Sequence, residues 1–514
     1  MRLIQNLAAL ALAACVAGCA GLPSLQGRTA TSALTDTRGT RLGEAVESIA
    51  SQHPGASGIH GLPDPRDAFA ARALLAATAE RSLDVQYYIW HKDQVGNLLF
   101  EALWQAAQRG VRVRLLLDDL NTSGLDPMLA ALDAHPNIEV RLYNPLVQRD
   151  ARAMNFFTDF ARVNRRMHNK SFTADNEVSV VGGRNVGNEY FAAGSGVAFT
   201  DLDAMLIGPA VREVSKEFDL YWNSPSAFPA SGLVGAPPAD AAANLQATFD
   251  ATHSDRESAD YLDAVRATPL IGELLGKRLP LEWTTATVLY DDPAKTLDTS
   301  GRTDVLLFPE LIRSFGRPDA SLDLVSPYFV PGDDGTAALE ALATRGVRVR
   351  VLTNSLAASD VKAVYAGYAN RRQALLRAGV RLFELKPGIV GTVHDDKTNT
   401  STSSSSALHA KTFAVDGSRM FIGSFNFDQR SARLNTEMGV VIASPALARQ
   451  LNAYFDVDVP MVAYEVRLAP DGNALTWIER TAAGETRYDV DPGTTWLLRR
   501  QVDMLSILPI EWLL

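Results

Sequence analysis

The chain has 514 residues, of which 46% are hydrophobic and 21% charged, and its formal net charge is −10. That length is too great for one ordinary core and suits two or more domains. The acidic balance argues against the broad basic face that binding a nucleic-acid backbone requires, and beyond the N-terminus no run of 18 or more apolar residues predicts an internal transmembrane helix.

Met1-Arg2 leads into an Ala/Leu-rich run from Leu7 to Val16, which is too short for a good membrane span and suits a signal peptide. The run ends Val16-Ala17-Gly18-Cys19, which looks like a bacterial lipoprotein cleavage box; an ordinary secretory signal cut near Ala20 is the alternative. Residues 1–18 are therefore read as a lipoprotein signal peptide. Cys19 becomes the lipidated first residue, a membrane anchor that does not span the bilayer. Cys15 and Cys19 are the two cysteines, so the mature chain has no thiol for a disulfide or a metal. Residues 19–65, rich in Gly, Ser, Thr and Ala, read as a tether with one short helix near Leu42–Ala50.

A first domain is expected over residues 66–224. Ala68–Ala79 has a helical pattern, Ser82–Trp90 the β-branched and aromatic content of a strand, and Gly96–Arg109 helical spacing that stops at Gly110. Val111–Leu117 and Ile138–Tyr143 read as strands with a helix, Pro127–Ala134, between them. The alternation predicts a mostly parallel sheet covered on both faces. Residues 225–300 have a mixed helical pattern without a copy elsewhere and read as a linker or insertion. A second domain is expected over 301–458. Residues 459–514 hold a hairpin through Asp471-Gly472 and an apolar tail. Core packing is the first reading of that tail, and a lip at a lipid interface with Trp512 at its edge is the second.

The two domains repeat one another. His168-Asn169-Lys170 and four residues later Asp175 recur as His409-Ala410-Lys411 and Asp416, and 409 − 168 and 416 − 175 both give 241. Gly182 and Asn185 recur at the same offset as Gly423 and Asn426. Ser82-Leu83-Asp84 returns as Ser321-Leu322-Asp323, and Arg109–Arg114 as Arg345–Arg350. Such offsets mean two duplicated α/β domains facing each other about a pseudo-twofold axis.

Alternate residues of a strand share a face, so His168 with Lys170, and His409 with Lys411, can point at one ligand. Small residues in the turns ending at Asn185 and Asn426 let backbone and amide approach an anion, which makes both asparagines candidate phosphate ligands. Two His, two Lys and two Asn suit a single phosphodiester: one imidazole attacks phosphorus and the other carries the proton. A nucleophilic His needs a carboxylate on its other ring nitrogen. Asp203 and Glu437 are the candidates, with Asp203 the better one for His168; Asp175 and Asp416 are counted with the catalytic His and Lys of their motifs, although Asp175 reads as a structural brace. No His/Cys cluster has metal-ligand spacing, and no metal or other cofactor is called for; His394 reads as a solvated loop residue.

The duplicated His-x-Lys-x4-Asp resembles the signature of the phospholipase D superfamily, from about Asp67 to Asp456. Arg165–Lys170, Gly182–Phe191, Gly423–Ser431 and Leu508–Leu514 are similar to the bacterial cardiolipin synthase C branch. The resemblance implies two α-β-α sandwich domains and a phosphatidyl-enzyme intermediate passed to phosphatidylglycerol, with His168 as nucleophile and His409 as general acid. Hydrolytic phospholipase D activity, a nuclease and a non-catalytic lipid-binding scaffold are the other readings, the last two weakened by the acidic charge and by two intact octets. The expected partners are a phospholipid substrate and a membrane surface reached through lipidated Cys19, with no nucleic acid and a monomeric catalytic unit. Ala20 after Cys19 favours the outer membrane, facing the periplasm, although cardiolipin synthesis is expected at the inner one.

Overall fold

A computed structural model describes residues 21–194, 198–270, 273, 278–297, 301–388, 406–472 and 474–514. The signal peptide, Cys19, His394 and most of the serine-rich tract before His409 lie outside the described residues.

Each half is built on the same run of six strands. In the first half their spatial order is Asp203–Ile207, Val178–Gly182, Ser171–Ala174, Ser82–Ile89, Arg112–Asn121 and Ile138–Tyr143. In the second it is Met438–Ile442, Arg419–Gly423, Thr412–Val415, Ser321–Val325, Arg348–Asn354 and Arg381–Leu385. The sheets are mixed rather than mostly parallel. Only the last three strands of each run pair in parallel, and the strand that follows each His-x-Lys pairs antiparallel on both sides. The reason lies at the end of the octet. Asp175 and Asn176 (φ 51° and 52°), and likewise Asp416 and Gly417 (φ 51° and 55°), adopt the left-handed conformation that turns the chain straight back as a hairpin.

The repeated sequence fragments have a packing reason. Arg114 grips Asp84 through two hydrogen bonds at 2.7 and 2.8 Å, and Arg350 grips Asp323 at 2.6 and 2.7 Å. Both arginines are buried, so the duplicated strands carry duplicated internal ion pairs. Between the halves the sheets share one apolar cluster. Val181, Leu206 and Val214 from the first meet Ile422, Met438 and Val440 from the second.

Two stretches depart from the expected domain plan, and the C-terminal hairpin is as expected. Residues 21–65 are folded onto the first half instead of forming a tether. The helix Arg41–Ala50 precedes a strand, Ser57–Leu62, that pairs with Asp203–Ile207. Arg28 donates to the carbonyls of Asn223, Ser224 and Ala227 at 2.6–2.7 Å, satisfying groups left open where the helix Pro209–Trp222 ends. Residues 225–300 stitch the sheets together: Ala227–Pro229 and Glu282–Thr284 edge the first, and Ala286–Tyr290 edges the second. The hairpin Ala463–Leu468 and Leu475–Thr481 extends the second sheet with Gly484–Tyr488. The helix Trp496–Ser506 buries Val502 and packs Leu498 and Leu505 on the second core, while Trp496, Leu497 and Met504 face outwards.

The octet aspartates are braces at the far end of their strands, and not catalytic groups. Asp175 accepts backbone N–H groups of Glu80, Arg81 and Ser82 at 2.8–3.0 Å. Asp416 does the same for Asp319, Ala320 and Ser321 at 2.7–3.1 Å. Asp175 is wholly buried and Asp416 only partly. Asp175→Ala removes three hydrogen bonds to a buried charged acceptor at about 1.5–3 kcal/mol each, so a loss of at least about 3 kcal/mol is expected in denaturant unfolding. Asp416→Ala should lose less, because its carboxylate is only partly buried and water competes for it. Equal losses, or the reverse order, would contradict the brace.

Candidate active site

The two His-x-Lys segments lie just before their strands, and each is held by backbone from the opposite half. His168 N–H donates to Thr436 O at 2.8 Å and Thr436 N–H to Arg166 O at 2.9 Å. On the other side His409 and Ala410 N–H both donate to Thr200 O, and Ser406–Leu408 pairs in parallel with Ala198–Thr200. Asp118 fixes the approach to the first segment, taking Arg166 Nη2 at 2.7 Å and the N–H of Met167 at 2.8 Å.

The side chains cross in the same way. His168 Nδ1 donates to Glu437 Oε2 at 2.8 Å, and His409 Nδ1 donates to Asp201 Oδ2 at 2.6 Å. Each imidazole thus takes its carboxylate from the other half and is left with Nε2 as its acceptor nitrogen. Ser424 and Ser431 hydroxyls donate to Glu437 at 2.5 and 2.8 Å.

Glu437 occupies the place expected of it, whereas Asp203 does not. Asp203 accepts from Arg72 Nη2 at 2.8 Å and from the Arg184 N–H at 3.2 Å and touches no histidine. Strand register explains the error. Gly182 pairs with Asp203, while its duplicate Gly423 pairs with Gly439, so the counterpart of Glu437 lies two residues before Asp203, at Asp201. Gly183 makes room for this shorter acid, since a Cβ there would sit 2.1 Å from Asp201 Oδ1. Spacing hides the pair, since Asp201 lies 19 residues after Gly182 and Glu437 only 14 after Gly423; sheet register, not count, matches them.

The asparagines also divide. Asn185 is fully buried, with Oδ1 accepting from the Ile89 N–H and Nδ2 donating to Tyr190 OH, both at 3.1 Å. It braces its turn and is closed off from a ligand, contrary to the expected phosphate contact. Asn426 Oδ1 is buried with no hydrogen-bond partner among the described residues, and this amide stays a candidate. Three aromatic rings that the motif search passed over confine the imidazoles. Tyr88 stands edge-on to His168 at 4.9 Å, Tyr190 edge-on to His409 at 5.1 Å, and Phe199 stacks on His409 at 5.2 Å.

The electrostatics are those of an electropositive, dry site. Burial, then Lys170 and Lys411, hold His168 well below the ordinary imidazole range. Burial and Lys411 bring His409 down to about 4, against the opposing pull of Asp201. Burial lowers Lys170, and lowers Lys411 to about 8. Each histidine feels the lysine of the other half, so all four groups share one centre. The acids differ. Burial raises Glu437 to about 7, partly offset by Lys170; burial also acts to raise Asp201, but His409, Lys411 and Arg184 outweigh it and keep that carboxyl ionised. Neutral imidazoles that keep Nε2 as acceptor, that of His409 lying 3.2 Å from Lys411 Nζ, can attack a phosphoryl centre that the two lysines help to hold. Among the described residues no cluster of three His, Cys, Asp or Glu side chains could hold a metal ion.

Beneath the first segment lies a buried acid. Glu217 accepts from Asn169 Nδ2 at 2.7 Å, and Gln86 Nε2 donates to it at 3.1 Å in the orientation that satisfies both groups. The duplicate of Asn169 is Ala410, so this polar support belongs to one half only.

The family described as cardiolipin synthase, PLD-like domain, matches residues 73–222 and 311–459. Cardiolipin synthase C of Escherichia coli (strain K12) is 47% identical over 476 residues, covering 92% of this chain and all of that protein. An uncharacterized protein of Helicobacter pylori (strain ATCC 700392 / 26695) is 30% identical, covering 84% of this chain and 86% of its own. The crystal structure of a phosphatidylserine synthase from Haemophilus influenzae Rd KW20 shares the fold, with a TM-score of 0.55 at 12% identity over 91% of this chain and all of that one.

Burial pushes the Glu217 carboxyl up to about 8 from an ordinary 4.5. Between those values the folded chain keeps a proton that the unfolded chain has released, so rising pH favours unfolding and this group's contribution to stability is lost from about pH 4.5 to 8. Glu217→Gln removes the titration and keeps the hydrogen bond from Asn169. The melting temperature of the parent should fall relative to Glu217→Gln as pH rises from 5 to 8; a constant difference would contradict the burial of a proton there.

Proposed function

This chain belongs to the phospholipase D-like cardiolipin synthase family, and from that premise we propose that it moves a phosphatidyl group from one phosphatidylglycerol to the hydroxyl of another, making cardiolipin and releasing glycerol. The observation that carries this reading is the crossed pairing of His168 with Glu437 and of His409 with Asp201, which gives one phosphodiester two oriented imidazoles.

In the first step His168 Nε2 attacks phosphorus. The phosphorus–oxygen bond to glycerol breaks as His409, which takes up a proton at Nε2 once the phosphodiester is bound, gives that proton to the leaving oxygen. In the second step the hydroxyl of the acceptor lipid attacks the phosphohistidine, returns a proton to His409 and frees neutral His168. Lys170 and Lys411 offset the charge on the non-bridging oxygens throughout, and Asn426 adds a donor. The division of labour follows from the acids. His409 stands beside the firmly ionised Asp201 and is the better proton carrier, because a bound phosphodiester screens the lysines that depress it. His168 stands beside Glu437, whose carboxyl lies near 7, and supports the imidazolium less well. It is therefore the nucleophile. Both half-sites come from one chain, which supports a monomeric catalytic unit. The cleavage box at Cys19 supports a lipid-anchored, periplasm-facing enzyme with the outer membrane favoured.

Purified protein incubated with phosphatidylglycerol and followed by mass spectrometry should yield cardiolipin and glycerol in equal amounts. Phosphatidic acid without cardiolipin would replace transfer by hydrolysis. The assignment of roles has its own check. With a phosphatidyl p-nitrophenol donor the leaving group needs no proton, so His409→Ala should still release nitrophenol once and retain a phosphatidyl adduct on His168. An adduct on another residue, or release undiminished in His168→Ala, would overturn the assignment.

A further inference from the structure

Nine of the sixteen large hydrophobic side chains exposed among the described residues lie in two short segments, far apart in sequence. One is the helix pair Met154–Thr158 and Phe160–Val163, which presents Met154, Phe157 and Phe160. The other is the C-terminal stretch from Trp496, which presents Met504, Ile507, Leu508 and Trp512. Phe157 and Ile507 are 83% and 82% exposed, values that a folded chain has no internal reason to maintain for such side chains.

The two segments meet at one residue. Arg430 donates through Nη1 and Nη2 to the carbonyl and amide oxygens of Asn164, which caps the second short helix, and its backbone N–H donates to Leu514 O at 2.8 Å. The next residue, Ser431, donates to Glu437, the acid that holds His168, so the junction borders the catalytic centre. The C-terminal stretch is anchored elsewhere by Arg371, which holds Glu511, and by Asn370, which donates to Ser506 O at 3.0 Å. It is therefore a fixed surface. Beside the junction a cleft of about 710 Å³ is lined by Phe308, Phe427 and Trp512 together with Arg165 and Arg433 and with Asp334 and Asp428. Cations and aromatic rings alternate on this side. Arg500 stands 5.7 Å over the Trp496 ring, and Arg433 and Arg500 are well exposed, beside Asp334 and Asp503. Residues 149–166 carry five arginines against two aspartates in a chain whose net charge is −10; Arg149 and Arg152 pair with Asp119 and Asp126, Arg162 with Asp159 and Arg166 with Asp118.

We infer that the face formed by residues 154–160 and 496–512 docks on the surface of an anionic phospholipid bilayer, with the cleft beside Trp512 and the mouth of the catalytic centre turned towards the lipid. Tryptophan and phenylalanine beside arginine suit the boundary between headgroups and acyl chains, where the ring enters the apolar layer and the guanidinium stays with phosphate. A protein partner would have to cover two separate apolar ridges and the aromatic cleft beside Trp512; a bilayer meets all three at once. The face also lets the substrate enter without leaving its membrane. This inference rests on a phospholipid substrate, but binding to vesicles can be measured without turnover.

The test uses the full chain with Cys19→Ser, so that no acyl group substitutes for the face, with and without Phe157→Ser and Ile507→Ser. Both side chains are so exposed that their loss leaves the core untouched. The parent should float with phosphatidylglycerol vesicles, and the double variant at least tenfold less. Turnover of vesicular phosphatidylglycerol should fall in proportion, while turnover of short-chain phosphatidylglycerol dissolved as monomers should be unchanged. A double variant that floats as well as the parent would overturn the proposal. So would a parent that ignores the vesicles, which would leave a protein partner as the occupant. Vesicle binding without turnover of either substrate would instead contradict the enzymatic reading and leave the docking face intact.

Discussion

Two carboxylate–imidazole hydrogen bonds, each made across the boundary between duplicated halves, are the constraint on which this molecule depends. Neither half can orient its own histidine. His168 needs Glu437, which follows the Asn turn of the second half, and His409 needs Asp201, which follows the turn of the first. Backbone bonds at Thr436 and Thr200 fix the same exchange, and the apolar cluster shared by the sheets keeps the distance constant. Residues 282–290, which edge first one sheet and then the other, tie the arrangement covalently. Duplication here made a single centre with two unlike sides.

The unlikeness is local and chemical. The second half supports its acid with hydroxyl groups, Ser424 and Ser431 on Glu437; the first pairs a shorter acid with Gly183, where no side chain fits. One acid stays ionised and the other sits near neutrality, which separates a proton carrier from a nucleophile without any change in the motif. The buried Asn169–Glu217 contact adds a second asymmetry, absent where Ala410 replaces Asn169.

Much of this was legible in the sequence because local chemistry repeats. The octets, the glycine turns and the Asp84–Arg114 and Asp323–Arg350 fragments recur at nearly constant spacing, and the last two do so because each forms a buried ion pair. The bracing role of Asp175 could be read because an aspartate at a turn is a ready acceptor for backbone N–H groups. What the sequence hid was register. A displacement of two residues keeps a side chain on the same face of a strand, so Asp203 and Asp201 were equally plausible by pattern, and only the pairing of Gly182 with Asp203 separates them. Residues 21–65 looked like a tether because their hydrogen bonds go to distant partners, Asn223 and Ser224 among them, that no local pattern reveals. In the C-terminal tail Val502 lies in the core and Ile507 outside it, so core packing accounts for only part of the tail.

The docking face and the crossed site belong to one design if Arg430 links the C-terminal stretch and the short helices, and Ser431 beside it the acid that holds His168, as their contacts indicate. The central claim remains the exchange of carboxylates, and nitrogen NMR of the imidazole rings in selectively labelled protein, eight histidines in all, reads it directly. At pH 7 His168 and His409 should both appear as neutral Nδ1–H tautomers; Glu437→Gln should shift His168 alone, and Asp201→Asn should shift His409 alone. A shift of His409 by Glu437→Gln, or of His168 by Asp203→Asn, would contradict it.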